Sequence, residues 1–154
     1  MGLPAFPCQT QSMLLVVHAA LTWALVGLIL TIQMVHYPLF ARVGESGYAA
    51  YQGEHVRRIT GLVAPLMLAE LATGVALLFR PPPLVSAASA ALGLALIVLI
   101  WISTALLQSP AHGRLAHGFD PAEHARLVRT NWARTLLWLG RGLLVGWWVL
   151  LGLS

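Results

Sequence analysis

Charged residues are scarce in this chain of 154 residues. Asp, Glu, Lys and Arg together make up 9% of the sequence, whereas hydrophobic residues make up 58%. So few charges cannot give a water-soluble globule of this size a polar surface. We therefore expect lipid to surround most of the protein, and we expect the lipid bilayer to be a binding partner.

Two residue types with particular chemistry are scarce or absent. Cys8 is the single cysteine, which excludes an internal disulfide, a Cys-x-x-Cys redox pair and a multi-thiolate metal centre within one chain. The chain has no lysine, so a Schiff base to an aldehyde is excluded. Nucleic acid is not an expected partner, because the arginines lie beside hydrophobic segments without interleaved exposed aromatic residues.

Four long hydrophobic segments dominate the sequence. They cover approximately residues 13–37, 60–79, 86–107 and 134–153. A membrane-spanning helix needs about 20 mostly apolar residues, because a rise of about 1.5 Å per residue has to cross about 30 Å of hydrocarbon. The sequence therefore predicts an all-α integral membrane protein, with residues 1–154 forming a single four-helix bundle domain.

The two longer loops are expected to contain short interfacial helices. Residues 48–59 place aromatic, histidine and aliphatic side chains at helical spacing, which indicates an amphipathic segment on the membrane surface. In the other loop, Asp120, Pro121 and Glu123 have the spacing of the N-cap, N1 and N3 positions of a capping box. A helix that begins at Pro121 meets no breaker before the membrane and can continue to Leu153.

Arginines are distributed unevenly between the two ends of the hydrophobic segments. The loops 40–59 and 108–133 each hold three arginines, whereas the opposite end holds only Arg80. The positive-inside rule then places both loops in the cytoplasm and both termini outside. Residues 1–12 carry no charge, so a cleavable signal peptide with a basic n-region is not expected. The expected location is the inner (cytoplasmic) membrane of a bacterium.

One polar stripe of the fourth segment is expected to face the interior of the bundle. Its members follow one another at steps of three and four residues: His124, Leu127, Asn131, Arg134, Trp138 and Arg141. A charge at the bilayer centre costs at least about 2.5–3.5 kcal/mol, so this stripe should avoid lipid. Glu70 is the only acid within the four segments and has a similar depth to Arg141. We predict a buried ion pair between them, which is either a structural clasp or part of a site for a proton, anion or substrate.

Most of the histidines are expected at the end of the bundle that carries the two longer loops. These are His36, His55, His112, His117 and His124. Neutral imidazole is a preferred ligand of Zn, Cu and Fe, so convergent histidines would form a transition-metal site with an open coordination position. A specific variant is haem b held between His36 and His112. For each histidine, an interfacial or hydrogen-bonded role without metal stays open. His18, near the other end, is expected to be a satisfied core or interface histidine.

Two short motifs carry a resemblance to a known family. Residues 109–115 read Ser-Pro-Ala-His-Gly-Arg-Leu, and residues 131–135 read Asn-Trp-Ala-Arg-Thr. They resemble the motifs of the anthrone-oxygenase-like family of small four-helix integral membrane proteins. In that family the third helix ends in Asn-x-Pro-x-Asn-x-x-Leu and the fourth begins with an Asn and Arg-Thr pattern. Here Gln108 and His112 stand at the two Asn positions, and the resemblance covers mainly the C-terminal third.

The resemblance implies oxygenation of a polycyclic aromatic substrate, as in some members of the family. If the histidines bind a metal, Asn131 and Arg134 would orient ligands or substrate, while Glu70 would move protons or balance the charge of Arg141. The sequence therefore predicts a membrane oxidoreductase or oxygenase that acts on a lipophilic or aromatic substrate. Two alternatives stay open: a proton or ion transporter or channel that uses Glu70, Arg141 and the histidines, and a non-catalytic accessory membrane subunit. Small residues in the fourth segment also allow a homo-oligomer.

Overall fold

The computed structural model of the protein describes residues 8–153, which form four long helices. Helix α1 joins Cys8–Thr31, Ile32–His36 and Tyr37–Phe40; α2 is Glu45–Phe79; α3 joins Ala87–Ser103, Thr104–Gln108 and Ser109–Leu115; α4 is Pro121–Leu153. This part of the chain contains no strand. The prediction of an all-α four-helix bundle is confirmed.

Each helix is long and apolar enough to cross a membrane. The candidate spans contain between 29 and 35 residues, which exceeds the length that a bilayer requires. Large hydrophobic side chains such as Leu68, Leu106 and Leu143 are exposed on the outside of the bundle. A lipid environment satisfies these side chains, so the chain is a membrane protein whose outer surface is suited to contact with the bilayer.

The helices extend beyond the predicted spans at the end that carries the two longer loops. Only residues 41–44 connect α1 to α2, and only residues 116–120 connect α3 to α4. The helical structure expected in both loops is confirmed, and so is a helix from Pro121 to Leu153. These residues do not form separate short helices, because residues 48–59 are continuous with α2 and residues 109–115 are continuous with α3. Continuing a helix adds one hydrogen bond per residue, whereas a break leaves unpaired backbone groups at two new ends.

Helix α4 begins at the predicted residue. The Asp120 carboxylate accepts hydrogen bonds from the backbone N–H groups of Ala122 at 2.8 Å and Glu123 at 3.2 Å. Pro121 suits the first helical position, where no N–H donor is needed. The Glu123 carboxylate accepts from Arg114 at the end of α3. The N-cap is therefore confirmed, but the carboxylate expected to complete the capping box fastens the turn between α3 and α4.

Helices α1 and α3 each contain a π-helical turn that ends two residues before a proline. The turns are Ile32–His36 and Thr104–Gln108, and the prolines are Pro38 and Pro110. Proline lacks an N–H group and its ring crowds the carbonyl four residues earlier, so a widened turn accommodates it. Both turns therefore change the direction of the side chains that follow them, at the end of the bundle where the short connections 41–44 and 116–120 lie.

Each helix packs against the next one in the chain, and α4 packs against α1, so the four helices form a closed ring. In this ring α1 lies diagonally opposite α3, and α2 lies diagonally opposite α4. Two hydrophobic clusters fill the interior. One includes Phe40, Met67 and Trp138, and the other includes Leu77 and Trp148. Along α1, α2 and α4, the buried residues between these clusters are polar or glycine, and α3 contributes Gly93 and Ile97. The bundle therefore has two apolar cores separated by a polar layer.

The cap at Asp120 gives a prediction about stability. Replacing Asp120 with Ala leaves the first N–H groups of α4 without their acceptor and should lower the free energy of unfolding by about 1 kcal/mol. The measurement is reversible unfolding in mixed micelles. Asp120→Asn, which keeps a side-chain acceptor, is the control and should unfold like the unmodified chain. Equal stabilities of the Ala and Asn variants would contradict this role of Asp120.

Candidate functional site

The polar layer is centred on an ion pair across the diagonal of the bundle. Nε of Arg141 on α4 donates to Oε1 of Glu70 on α2 at 2.9 Å, and neither side chain is more than 1% exposed. The predicted pairing is therefore confirmed. A buried charge without its partner is strongly destabilising, so each of these two side chains requires the other.

The other two helices complete this layer. The Arg141 guanidinium donates through NH1 to the carbonyl of Gly93 on α3 at 3.0 Å and through NH2 to Nε2 of His18 on α1. The hydroxyl of Thr22, also on α1, donates to Oε1 of Glu70 at 2.9 Å. One guanidinium thus bonds to all three of the other helices, which fixes their rotation and height relative to α4.

The hydrogen bonds of His18 define its tautomer. Arginine can only donate, so Nε2 of His18 accepts from Arg141 and the proton of the neutral ring is on Nδ1. Nδ1 then donates to the Thr73 hydroxyl at 2.7 Å, and this hydroxyl donates to the carbonyl of Ala69 at 2.9 Å. His18 is a core histidine with both ring nitrogens satisfied, as the sequence predicts.

Gly93 allows Arg141 to approach the backbone of α3. A Cβ atom at Gly93 would lie 2.9 Å from NH1 of Arg141 and 2.5 Å from the ring of Trp148. Neither distance is tolerable for carbon, and both neighbours are held in the packed interior. The absence of a side chain at this position is therefore a requirement of the polar layer.

Three of the predicted histidines come together at the end of the bundle with the short connections. Nε2 of His36 lies 2.9 Å from Nδ1 of His55, and the ring of His55 lies 5.5 Å from that of His112 between centroids. The ring of Phe40 packs edge-on against His36 and His55. We call His36, His55 and His112 the histidine cluster.

His112 has a hydrogen bond at each ring nitrogen. The amide nitrogen of Gln52 donates to Nδ1 at 2.7 Å, so the proton of the neutral ring is on Nε2 and is donated to the hydroxyl of Tyr37 at 2.8 Å. These bonds fix the orientation of the imidazole. Ligation of a metal through His112 requires the loss of one of them.

The other two predicted ligands lie outside the histidine cluster. His124 donates through Nε2 to the carbonyl of Tyr37 at 2.8 Å and packs on Phe119, while His117 is exposed in the connection between α3 and α4. Within residues 8–153, no group of three or more His, Cys, Asp or Glu side chains is arranged to hold a metal ion. The transition-metal and haem b hypotheses stay predictions.

A cavity of about 450 Å³ lies beside the histidine cluster and is lined by all four helices. Its wall is mainly apolar and includes Leu25, Ile29, Val63, Met67 and Trp138. Polar side chains also line it, and these are Tyr37, His55, Thr60, Thr104, Gln108, Ser109, His112 and Arg134. A mainly apolar cavity with a few converging polar groups is typical of small-molecule sites.

Four buried nitrogen atoms of the lining side chains have no hydrogen-bond partner among the residues that the structure describes. They are Nε2 of His55, Nε1 of Trp101, Nε2 of Gln108 and Nε of Arg134. The last three can only donate. Leaving a buried donor unpaired costs about 1–3 kcal/mol. These nitrogen atoms are themselves buried, so a ligand with acceptor oxygens pairs with them only when neighbouring side chains of the wall move.

Asn131 and the ion pair lie outside the cavity wall. The amide of Asn131 donates to Oε1 of Gln33 at 2.7 Å, and Nε2 of Gln33 donates to the carbonyl of Val128 at 3.3 Å. Asn131 therefore fastens α4 to the π-helical turn of α1. Glu70 and Arg141 do not line the cavity either, and their contacts are those of the polar layer. Of the residues predicted as catalytic, only Arg134 lines the cavity.

Several residues of the site were not predicted as such. The sequence alone indicates no role for Tyr37, Gln52 or Trp101, and Gln108 stands out in it only as a departure from a family motif. An amide within a hydrophobic segment needs a partner, and this signal could have indicated Gln108. No pattern in the sequence separates Trp101, which lines the cavity, from an indole that faces lipid.

The polar layer gives a prediction that separates pairing from simple packing. Arg141→Met leaves Glu70 unpaired and Glu70→Gln leaves Arg141 unpaired, so each should lower the free energy of unfolding by about 3–5 kcal/mol. The double variant contains neither charge of the pair and should lose clearly less than the sum of the two. Arg129→Met on the exposed face is the matched control. Additive losses in reversible unfolding would contradict the pairing.

A second prediction concerns the close approach at Gly93. Gly93→Ala should displace Arg141 or Trp148 and lower the free energy of unfolding by about 1–3 kcal/mol. Gly61→Ala is the matched control, because a Cβ atom there meets nothing within 4 Å and helix propensity favours alanine. Unfolding of the two variants side by side tests this. A neutral Gly93→Ala would mean that the polar layer tolerates an added methyl group.

Comparisons with known proteins do not assign the chain to a family. No family model matches the sequence, no curated protein matches it, and no solved structure matches its fold. The resemblance to the anthrone-oxygenase-like family therefore depends on the motifs at residues 109–115 and 131–135 alone, and it stays a prediction.

Proposed function

We propose that the protein is a membrane oxidoreductase that binds a lipophilic aromatic substrate with a carbonyl or phenolic oxygen in this cavity. The observation that carries the proposal is the combination of an apolar wall with unpaired donors from Trp101, Gln108 and Arg134. An aromatic body satisfies the apolar wall, and one or two oxygen atoms satisfy the donors once the side chains that cover these donors move aside.

The lining residues support a proton transfer from such a substrate. His36 holds the ring of His55 through Nδ1, and Nε2 of His55 is buried without a protein partner. With its proton on Nδ1, His55 accepts a proton through Nε2. The donors on Trp101, Gln108 and Arg134 then stabilise the negative charge that remains on the substrate oxygen. We therefore assign His55 the role of general base.

Oxygenation, which the resemblance implies, follows from such an anion. A CH₂ group activated by a neighbouring carbonyl loses its proton to His55, and the resulting carbanion is oxidised by molecular oxygen. The overall change, R₂CH₂ + O₂ → R₂C=O + H₂O, balances without a further reductant: one oxygen atom becomes the new carbonyl and the other leaves as water with both hydrogens. The histidine cluster thus has a role in this proposal that does not require a metal.

Substrate access from the bilayer is supported by small residues between α2 and α3. Gly53 and Thr60 on α2 and Ser109 and Gly113 on α3 line the cavity and are exposed. A Cβ atom at Gly53 or Gly113 would meet nothing within 4 Å. We propose that a lipophilic molecule passes between the two helices here.

The orientation, location and assembly of the protein remain part of the proposal. The exposed arginines near the short connections, among them Arg57, Arg58 and Arg114, favour a cytoplasmic position for this end and an outside position for both termini in a bacterial inner membrane. Gly142 and Gly146 pack against Val26 and Trp23 within the chain, so a homo-oligomer has to use other surfaces.

The transporter alternative has less support. Met67 and Trp138 are buried between the histidine cluster and the ion pair of Glu70 and Arg141, and they belong to an apolar core. A proton or ion path needs polar groups or water along its length. A non-catalytic subunit needs no cavity with unpaired donors, so the cavity also favours the proposed function over that alternative.

Oxygen consumption with anthrone, a polycyclic ketone with an activated CH₂ group, tests the proposal. Protein in nanodiscs should consume oxygen and form the quinone, and His55→Gln should reduce the rate at least about a hundredfold, as expected for a lost general base. His117→Gln, which changes an exposed histidine, is the control and should keep the full rate. Folded protein that neither binds nor oxidises such compounds would contradict the proposal.

Metal analysis and an absorption spectrum of the same samples test the cofactor predictions. Stoichiometric Cu, Fe or Zn that is lost in His36→Ala or His112→Ala would establish a metal site, and a Soret band would establish haem. Full activity in metal-free samples would instead support the route through His55.

A further inference from the structure

Arg134 is a buried cation without a protein anion beside it. Its side chain lines the cavity and is 8% exposed. The ion pairs among residues 8–153 use other arginines, and no carboxylate pairs with Arg134. The cavity wall, as described, contains no acidic side chain. A buried charge that lacks a counter-charge is strongly unfavourable, so the environment of Arg134 is electrostatically incomplete.

The polar contacts of Arg134 do not compensate its charge. NH1 donates to the hydroxyl of Thr104 at 3.4 Å, NH2 donates to the hydroxyl of Tyr37 at 3.5 Å, and Nε has no partner. Charge-assisted hydrogen bonds are usually about 2.7–2.9 Å long. Two long bonds to neutral hydroxyl groups hold the guanidinium at the wall of the cavity and leave its charge available.

A comparison with Arg141 shows how this chain neutralises a buried arginine when the partner is its own. Arg141 lies two turns further along α4, and its guanidinium bonds to a carboxylate, a carbonyl and an imidazole. Arg134 lies on the same helix and is also buried, but its side chain faces the cavity, whereas that of Arg141 faces Glu70. The missing partner is therefore on the cavity side.

We propose that the cavity binds its ligand as an anion and that Arg134 supplies the counter-charge. The inference rests on the proposed function and ranks its ligands: aromatic compounds that carry a carboxylate or a phenolate bind more tightly than neutral ones such as anthrone. Trp101 and Gln108 donate to the same charged group or to a second oxygen of the ligand. Arg134 is thus the residue that determines charge specificity.

The shape of the cavity favours an aromatic or hydrocarbon body over a phospholipid headgroup. Gly53 and Met67 both line it and are fourteen residues apart on α2, which corresponds to about 21 Å along the helix. Most of this length is apolar, and the indole rings of Trp101 and Trp138 form part of the wall. A phosphate headgroup would fill only the polar part and would leave the aromatic part empty.

Binding of two matched probes tests the inference. Anthracene-2-carboxylate and anthracene-2-carboxamide have the same aromatic body and differ in charge. Their fluorescence anisotropy is measured with protein in phosphatidylcholine nanodiscs and with empty nanodiscs. The unmodified protein should bind the carboxylate at least about tenfold more tightly than the amide, which is the effect of one charge-assisted interaction.

Three variants assign the preference to Arg134. Arg134→Gln should bind both probes equally, with the affinity for the amide retained as proof of an intact cavity, and Arg134→Lys should keep part of the preference. Arg129→Gln, an exposed arginine on the same helix, is the matched control and should behave like the unmodified protein. If Arg134→Gln does not fold, the preference of the unmodified protein and its partial retention in Arg134→Lys still decide the question.

The possible results separate the two proposals. Equal binding of both probes by the unmodified protein overturns the anion inference and leaves the proposed function intact. Displacement of the carboxylate by phosphatidylglycerol, but not by phosphatidylcholine, also overturns it and assigns Arg134 to a lipid headgroup. Failure of folded protein to bind either probe contradicts the proposed function itself.

Discussion

The ion pair between Glu70 and Arg141 is the constraint on which the rest of the bundle depends. It joins two helices that face each other across the diagonal, and the same guanidinium reaches the backbone of α3 and an imidazole of α1. A pair of this kind contributes little net stability, since desolvation of the charges offsets their attraction. Its effect is to make other arrangements of the helices unfavourable. Any rotation or sliding of a helix would leave a charge without its partner in an apolar interior.

With the helices fixed at the polar layer, the two ends of the bundle can differ. One end is a closed apolar core around Leu77 and Trp148. At the other end, π-helical turns in α1 and α3 redirect Tyr37 and His112, which hydrogen-bond to each other beside the cavity. The cavity is a consequence of local helix geometry. The hydrogen bonds of the polar layer hold together the four helices that form its wall.

The sequence was sufficient for the features that depend on periodicity and depth. The four hydrophobic segments, the start of α4 at Asp120 and the pairing of Glu70 with Arg141 follow from helical spacing and from the cost of an isolated charge in lipid. Features that depend on distances between helices did not follow. Periodicity places His117 and His124 at the correct end but cannot show that they lie outside the histidine cluster, and it gives no sign that the indole of Trp101 faces a cavity.

The position of the polar layer has a consequence for how the protein tolerates change. Because buried polar contacts, and not one continuous apolar core, connect the two ends, exchanges for side chains of similar volume around Leu77 affect the cavity only if they displace the polar layer. The molecule is in this sense modular although it is a single domain. Substitutions at a few positions of the cavity wall can change its substrate preference, while the contacts that hold the four helices together in the bilayer stay unchanged.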